Sequence, residues 1–251
     1  MTPKISLLHA TFKRPEKALA TMRHWLQMAF LTGKIEYILA VNEDDETAHA
    51  GNGLLHEARL IAATYGATVN AVMGFFKGSA PAWSEAAKHA TGDLLIQVSD
   101  DFEPPAGWDM LLYTELEIAA PLTDPKGCWE HRPIFVLVSD GHREGHLATM
   151  LVVTRKYYEL DGYFLWPGFA SVYSDDHASY RALKRREDGS AIYVEAKHIV
   201  FNHRHHYHDP SVPMDEVYSR QNSAENYASG AEQFAALNPD ADGSPLLDWR
   251  K

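Results

Sequence analysis

The chain has 251 residues, 45% of them hydrophobic and 23% charged, a length within the range of one α/β unit with a large core. Its net charge of −11, with histidine neutral, excludes capture of nucleic acid or an anionic membrane by a long-range field. No apolar run reaches the roughly 20 residues of a membrane span, we expect no signal peptide, and the single cysteine, Cys128, suits a reducing cytoplasm.

Strand patterns alternate with helix patterns in the first half of the chain. The predicted strands are 4–10, 35–41, 68–73 and 93–99. The predicted helices are 15–33, 53–66 and 79–92, and each ends on a glycine. Strands that alternate with helices of this length indicate a mostly parallel sheet with helices on both faces.

The second half is less regular. It contains predicted helices at 107–120, 174–188 and about 213–228, and extended segments at 133–139, 146–154, 191–196 and 198–206. No linker composition interrupts it, so we expect one compact domain. We divide that domain into a nucleotide-binding half of about 1–102 and an acceptor-binding half of about 103–209. A polar tail, 210–251, follows and should pack a helix on the same domain.

Polar side chains follow three of the predicted strands, at 11–14, 42–45 and 99–101. Ligands of open parallel sheets bind at the carboxyl ends of the strands, so these groups mark a candidate site. Asp100 and Asp101 stand side by side there and repel each other unless a metal ion, a basic group or water lies between them.

The order of five motifs resembles that of GT-A-fold glycosyltransferases, most closely the broad family 2 group, over about residues 4–206. The motifs are HATFKRPEKAL, YILAVNEDD, HATGDLLIQVSDDFEPPAGW, GYFLWPGFASVYSDDHASYRA and VFNHRHH. The resemblance implies a Rossmann-like α/β/α sandwich with a mostly parallel central sheet. It also implies transfer of a sugar from a nucleotide-sugar donor to an acceptor hydroxyl, by inverting displacement.

The resemblance assigns donor-binding residues to the first half of the chain. They are Thr11, Phe12, Arg14, Asn42, Glu43, Asp44, Lys77 and Asp100. The stretch Ala90-Thr91-Gly92-Asp93 matches the family's A-x-G-D, and the Asp100-Asp101 pair stands for its Asp-x-Asp, with Phe102 replacing the second aspartate. Asp101, with His203 and His205, is the predicted metal site, and carboxylate ligands suit Mn²⁺ or Mg²⁺.

The acceptor side follows from the later motifs. Either Asp175 or Asp176 is the predicted general base that deprotonates the acceptor hydroxyl. The predicted acceptor wall consists of Tyr163, Phe164 and Trp166, whose rings stack on sugars. We expect a UDP-sugar donor, while the acceptor stays open among a lipid-linked saccharide, a glycan, a protein and a modified base of nucleic acid.

Two other classes of function remain open at the level of sequence. A nucleotidyltransferase also uses acidic metal ligands, but it commonly carries a glycine-rich loop after the first strand, and HATFKRPEK contains no glycine. A non-catalytic nucleotide- or metal-binding relative is the other, because NHRHHYH at 202–208 holds four histidines and three could bind zinc.

Overall fold

The computed structural model describes residues 4–49, 51, 53–121 and 127–241. The strands in these ranges are β1 (Ile5–Thr11), β2 (Ile35–Asn42), β3 (Thr68–Gly74), β4 (Leu94–Val98), β5 (Phe102–Glu103), β6 (Ile134–Ser139), β7 (Val152–Thr154), β8 (Ile192–Val200) and β9 (Asn202–His203). The α-helices are α1 (Pro15–Met28), α2 (Glu46–His49), α3 (Leu54–Tyr65), α4 (Ser79–His89), α5 (Trp108–Ala119), α6 (Arg155–Asp161), α7 (Ser174–Asp188), α8 (Glu216–Gln221) and α9 (Ala224–Leu237).

Seven strands form the central sheet, in the order β3-β2-β1-β4-β7-β6-β8. The pairs β1–β2, β2–β3, β1–β4 and β6–β8 are parallel, while β7 runs antiparallel to β4 and β6. The predicted mostly parallel α/β fold is therefore confirmed. Because Thr11 pairs with Val41 and His9 with Val98, the carboxyl ends of β1, β2 and β4 meet at one edge.

Alternate residues along the strands supply two cores, one on each face of the sheet. Leu7 belongs to the core formed with α1, α3 and α5, whereas Leu8 belongs to the core formed with α4, α6 and α7. Both side chains are fully buried. Side chains of successive strand residues point to opposite faces, so this alternation builds the three-layer sandwich.

Several predicted boundaries differ from the structure. The segment 146–154 is a strand only at Val152–Thr154, although Met150 and Leu151 are buried as a strand would bury them. The extended segment at 191–196 and the start of the one at 198–206 are instead joined in β8, which ends at Val200, and β9 follows it. The helix near 213–228 is two helices, α8 and α9. Apolar residues inside a core give the same pattern whether the backbone is strand or irregular chain.

The tail returns to the body of the domain. Phe234 on α9 is buried and packs against Tyr180 on α7, with ring centroids 6.2 Å apart. Residues 242–251 of the predicted tail lie outside the described residues. Within the described ranges, no helix combines the length and hydrophobicity needed to cross a bilayer.

A buried carboxylate, Glu36, ties together the edge of the sheet opposite the strand ends considered above. It accepts hydrogen bonds from Thr91 Oγ1 at 2.7 Å, from the Gly92 amide at 3.1 Å and from the hydroxyl of Ser6, and Lys4 Nζ lies 2.6 Å away. Burial raises the pKa of Glu36, but the bonds from Lys4, Ser6 and Thr91 outweigh it and lower the pKa to about 2. The A-x-G-D stretch therefore has a structural partner, Glu36.

Candidate active site

A cleft opens where β1, β2 and β4 end. Five of the predicted donor-binding residues line it, namely Thr11, Phe12, Arg14, Asn42 and Asp100. The other three do not. Glu43, Asp44 and Lys77 are exposed and lie outside the lining, although Phe76 and Gly78, the neighbours of Lys77, form part of it.

Asp100 is held in the cleft wall by a buried histidine. His9 Nε2 lies 2.8 Å from Asp100 Oδ1, and His9 Nδ1 lies 2.7 Å from the hydroxyl of Tyr37. Burial and the charge of Asp100 raise the pKa of Tyr37 well above its usual value. Arg14 Nη1 lies 3.9 Å from Asp100 Oδ2. Asp100, the first of the two adjacent aspartates, therefore has basic and polar partners within the protein. The sequence analysis missed His9 and Tyr37, whose only signal was a polar atom inside an apolar strand.

The loop after β1 is fixed by Asp45, a residue that received no role from the motifs. The Lys13 amide donates to Asp45 Oδ2 at 2.6 Å, and Asp45 also accepts from the Thr47 amide at 3.1 Å. Lys13 has a positive φ of 55°, a strained conformation for a side chain with a Cβ, and this bond helps to hold it. Thr11 Oγ1, buried beside this turn, has no hydrogen-bond partner among the described residues and faces the cleft lining.

The far wall of the cleft depends on close contact between two loops. Asn42 Nδ2 donates to the Phe76 carbonyl at 3.1 Å, which fixes the chain before α4. A Cβ on Gly78 would stand 2.1 Å from the carbonyl oxygen of Ala170, so only glycine allows this approach. Ser79 Oγ donates to Ser171 Oγ at 3.1 Å, and the segment that leads into α7 is thereby joined to the cleft.

The predicted metal ligands meet because β5 pairs with β9. The register sets Phe102 against His203, and their rings stack with centroids 4.2 Å apart. This places a ligand atom of Asp101, His203 and His205 within 4.8 Å of the others. His203 Nε2 lies 3.4 Å from Asp101 Oδ2, whereas Asp101 Oδ1 and His203 Nδ1 are buried with no hydrogen-bond partner among the described residues.

The unpartnered Asp101 Oδ1 fits a divalent cation at this site, because buried polar atoms without partners are costly and are rare in folded proteins. One carboxylate and two imidazoles suit Mn²⁺ and other first-row cations better than they suit Mg²⁺, which prefers oxygen ligands.

Burial raises the pKa of Asp101, but the hydrogen bond and the charge of His203 outweigh it and hold the pKa well below its usual range. Burial, with the neighbouring His203, lowers the pKa of His205 to about 4.

The predicted general bases lie in the first turn of α7. Tyr173 is the N-cap, with φ of 67°, and its own side chain makes no capping hydrogen bond. Burial and the charge of Asp175 raise the pKa of Tyr227 on α9. Asp175 and Asp176 are both half-buried.

The predicted acceptor wall divides into a core residue and two accessible ones. Phe164 is only 5% exposed and packs in the core, which leaves little of its ring to meet an acceptor. Tyr163 and Trp166 are half-buried and contact each other edge to face at 5.2 Å. Behind them lies His177, which the motifs did not mark; burial and Arg181 lower its pKa to about 4.

Helix α8 of the tail covers the cleft, an arrangement that the sequence analysis did not predict. Val217, Arg220 and Gln221 line the cleft, and Arg220 lies 4.7 Å from the centroid of the Phe12 ring. Asp215, the N-cap of α8, forms an ion pair with Arg14. Tyr218 reaches the metal ligands, with its hydroxyl 3.3 Å from His205 Nδ1.

No family model and no curated protein sequence matches this chain. The solved structures that share its fold include three glycosyltransferase complexes. A mannosyltransferase of Pyrobaculum calidifontis in complex with GDP-Man and Mn²⁺ is 12% identical, with a TM-score of 0.56 over 99% of this chain and 78% of its own. S. aureus TarS in complex with UDP-GlcNAc is 12% identical, with a TM-score of 0.63 over 97% and 69%.

The third structure is glucosyl-3-phosphoglycerate synthase of Mycobacterium tuberculosis in complex with Mn²⁺, UDP and phosphoglyceric acid. It is 13% identical, with a TM-score of 0.50 over 92% of this chain and 78% of its own. Identities this low establish architecture and not activity. The seven-stranded order with one antiparallel strand, flanked by helices on both faces, is thus the GT-A fold of glycosyltransferases.

Proposed function

We propose that the protein is a glycosyltransferase that moves a sugar from a nucleotide-sugar donor to an acceptor hydroxyl, with a bound divalent cation. One observation carries the proposal. Asp100, in the wall of the cleft, is directly followed by Asp101, whose carboxylate joins His203 and His205 in a set of ligand atoms within 4.8 Å of one another. A nucleoside diphosphate bound in that cleft would have its phosphates beside this set.

The cleft offers separate contacts for the parts of the donor. Phe12 and Arg220 present an aromatic ring and a guanidinium that suit a nucleobase. Thr11 Oγ1 and Asn42, which line the cleft, would meet the ribose, and Arg14 would provide positive charge for the diphosphate. The cation, held by Asp101, His203 and His205, would neutralise charge on the leaving diphosphate.

The acceptor side uses the first turn of α7. Asp175 or Asp176 would accept the proton of the attacking hydroxyl, and a base on that side implies direct displacement with inversion. Tyr163 and Trp166 would form the apolar contact surface for the acceptor. His9 keeps Asp100 oriented from within the sheet, 2.8 Å away.

Donor choice follows from the bound ligands of the structural relatives, which are GDP-Man in one and UDP or UDP-GlcNAc in two others. We propose a UDP-sugar and test it against a GDP-sugar. Titration calorimetry with UDP and with GDP, each with Mn²⁺ and with EDTA, measures affinity for the nucleotide part. Binding that needs Mn²⁺ supports the proposal, whereas no binding of either nucleotide refutes it.

Asp101→Asn tests the metal site. The amide keeps the shape of the side chain but loses the charge, so we expect at least a tenfold loss of Mn²⁺-dependent nucleotide affinity. Glu16→Gln removes the same charge from an exposed position on α1 and serves as the matched control. Equal nucleotide affinity in Asp101→Asn and Glu16→Gln would remove Asp101 from the site.

Asp175→Asn and Asp176→Asn identify the base. Loss of a general base costs about 10²–10⁴-fold in rate, so one variant should lose turnover by that factor while it retains nucleotide affinity. Analysis of the reaction products distinguishes glycosyl transfer from nucleotidyl transfer. Glycosyl transfer releases a nucleoside diphosphate, whereas nucleotidyl transfer releases or consumes pyrophosphate. If both variants turn over at the rate of the unmodified protein, the base lies elsewhere.

A further inference from the structure

A second group of metal-ligating side chains lies beside the first. Asp140 follows β6, His203 lies on β9, and His208 lies in the turn after it; one ligand atom of each stands within 4.8 Å of the others. The family motifs assign no role to Asp140 or His208. His203 is the one residue that belongs to both groups. Which of its two ring nitrogens carries the free lone pair therefore decides in which group His203 can bind a metal ion.

Asp140 is a buried carboxylate in a fixed orientation. It is 4% exposed, and its Oδ1 accepts the amides of His142 and Arg143, both at 2.9 Å. Its Oδ2 receives the Thr149 hydroxyl at 3.2 Å. A carboxylate positioned by the turn around it needs little reorganisation to bind a cation.

His208 is also held in place. Its ring stacks on the ring of His142, with centroids 3.9 Å apart and planes within 7° of parallel. His142 is in turn anchored, because its Nε2 lies 3.0 Å from the His203 carbonyl oxygen. The stack restricts rotation of His208 while its ring edge stays free to coordinate.

The contacts of His203 favour one tautomer. Its Nε2 lies 3.4 Å from Asp101 Oδ2, whereas its Nδ1 is buried with no hydrogen-bond partner among the described residues. A proton on Nε2 would be donated to Asp101 and would leave the lone pair on Nδ1. Metal-bound histidines in proteins usually donate their other N–H to a carboxylate in this way, which fixes the tautomer and raises the basicity of the ligand.

We propose that Asp140, His203 through Nδ1, and His208 bind a borderline transition cation of the Zn²⁺ class, with Asp101 as the carboxylate that orients His203. Two imidazoles, one carboxylate and an open fourth position are a common donor set for zinc. Ligand atoms of a tetrahedral zinc site stand about 3.3 Å apart, since the bonds are about 2.0 Å long. Separations of up to 4.8 Å therefore need side-chain movements of roughly an ångström.

This site goes beyond the glycosyltransferase function and does not depend on it. The two cations nevertheless compete. A donor-site cation beside Asp101 needs the Nε2 lone pair of His203, whereas the second site needs the Nδ1 lone pair and a proton on Nε2. Occupation by Zn²⁺ should therefore weaken Mn²⁺-dependent nucleotide binding.

The test is calorimetric titration of tag-free protein with Zn²⁺ alone, without nucleotide. His208→Gln and His205→Gln form a matched pair, because each removes one histidine of the same turn and only His208 belongs to the proposed site. We expect His208→Gln to weaken Zn²⁺ binding at least tenfold, and His205→Gln to change it less than threefold. Circular dichroism checks that both variants are folded.

The proposal is overturned if the unmodified protein does not bind Zn²⁺, if His208→Gln binds it as tightly, or if His205→Gln loses as much affinity as His208→Gln. The last result would assign Zn²⁺ to the site of Asp101 instead. Failure of the glycosyltransferase proposal looks different, since nucleotides would then fail to bind with Mn²⁺ whatever happens with Zn²⁺.

Discussion

Glu36→Gln should make the free energy of unfolding less dependent on pH in the acidic range. The Glu36 side chain is 4% exposed, and its pKa falls from an ordinary 4.5 to about 2 in the folded protein. This lowering of the Glu36 pKa from 4.5 to about 2 corresponds to about 3 kcal/mol of stabilisation at neutral pH. Glutamine offers one acceptor oxygen but turns an N–H group towards Lys4, so it cannot replace the charge.

The sign of the effect follows from the direction of the pKa. A carboxyl with a lowered folded pKa binds its proton more tightly in the unfolded chain, so its stabilisation is complete above about pH 4.5 and is lost as pH falls towards 2. At pH 3.5 about 1.4 kcal/mol of it should be gone. The difference in unfolding free energy between the unmodified protein and Glu36→Gln should shrink by that amount.

Urea unfolding followed by circular dichroism, at pH 7 and at pH 3.5, measures both differences. Comparison with Glu36→Gln cancels the titration of all other carboxyls, and Glu46→Gln, at an exposed position, is the control for loss of a charge. A difference between the two proteins that is the same at both pH values would refute the assignment of a low pKa to Glu36. It would also remove the electrostatic explanation for the A-x-G-D stretch.

Two further substitutions test the walls of the cleft. Gly78→Ala would bring a Cβ to 2.1 Å from the Ala170 carbonyl, so we expect displacement of the loop, a lower melting temperature and weaker nucleotide binding; an unchanged melting temperature would contradict the close approach. Arg220→Ala removes a guanidinium 4.7 Å from the Phe12 ring, where a cation–π contact with a bound nucleobase would be worth about 0.5–2 kcal/mol. Nucleotide affinity, measured by calorimetry, should fall about two- to thirtyfold, and equal affinity would show that α8 does not contact the nucleotide.

Local patterns in the sequence were sufficient for the first half of the fold. The alternation of apolar strands and amphipathic helices predicted β1 to β4 and the helices α1, α3 and α4, because each residue's side of the sheet is set by its own position in the strand, but it did not predict the four-residue helix α2. The same patterns put Asp100 and Asp101 at a strand end. They could not predict that β7 enters the sheet in the opposite direction, since a strand of three residues, Val152–Thr154, carries no information on direction.

Only the tertiary structure decided which distant side chains meet. His203 reaches Asp101 through the pairing of two short strands, β5 and β9, and α8 reaches Phe12 and Arg14 after most of the chain has passed. Glu36, the second residue of the apolar strand β2, had no sequence signal beyond its charge. Such contacts depend on packing across the whole fold, so no periodic pattern in the local sequence indicates them. Burial of one strand face, in contrast, places an apolar residue at every second position, and this pattern can be seen in the sequence.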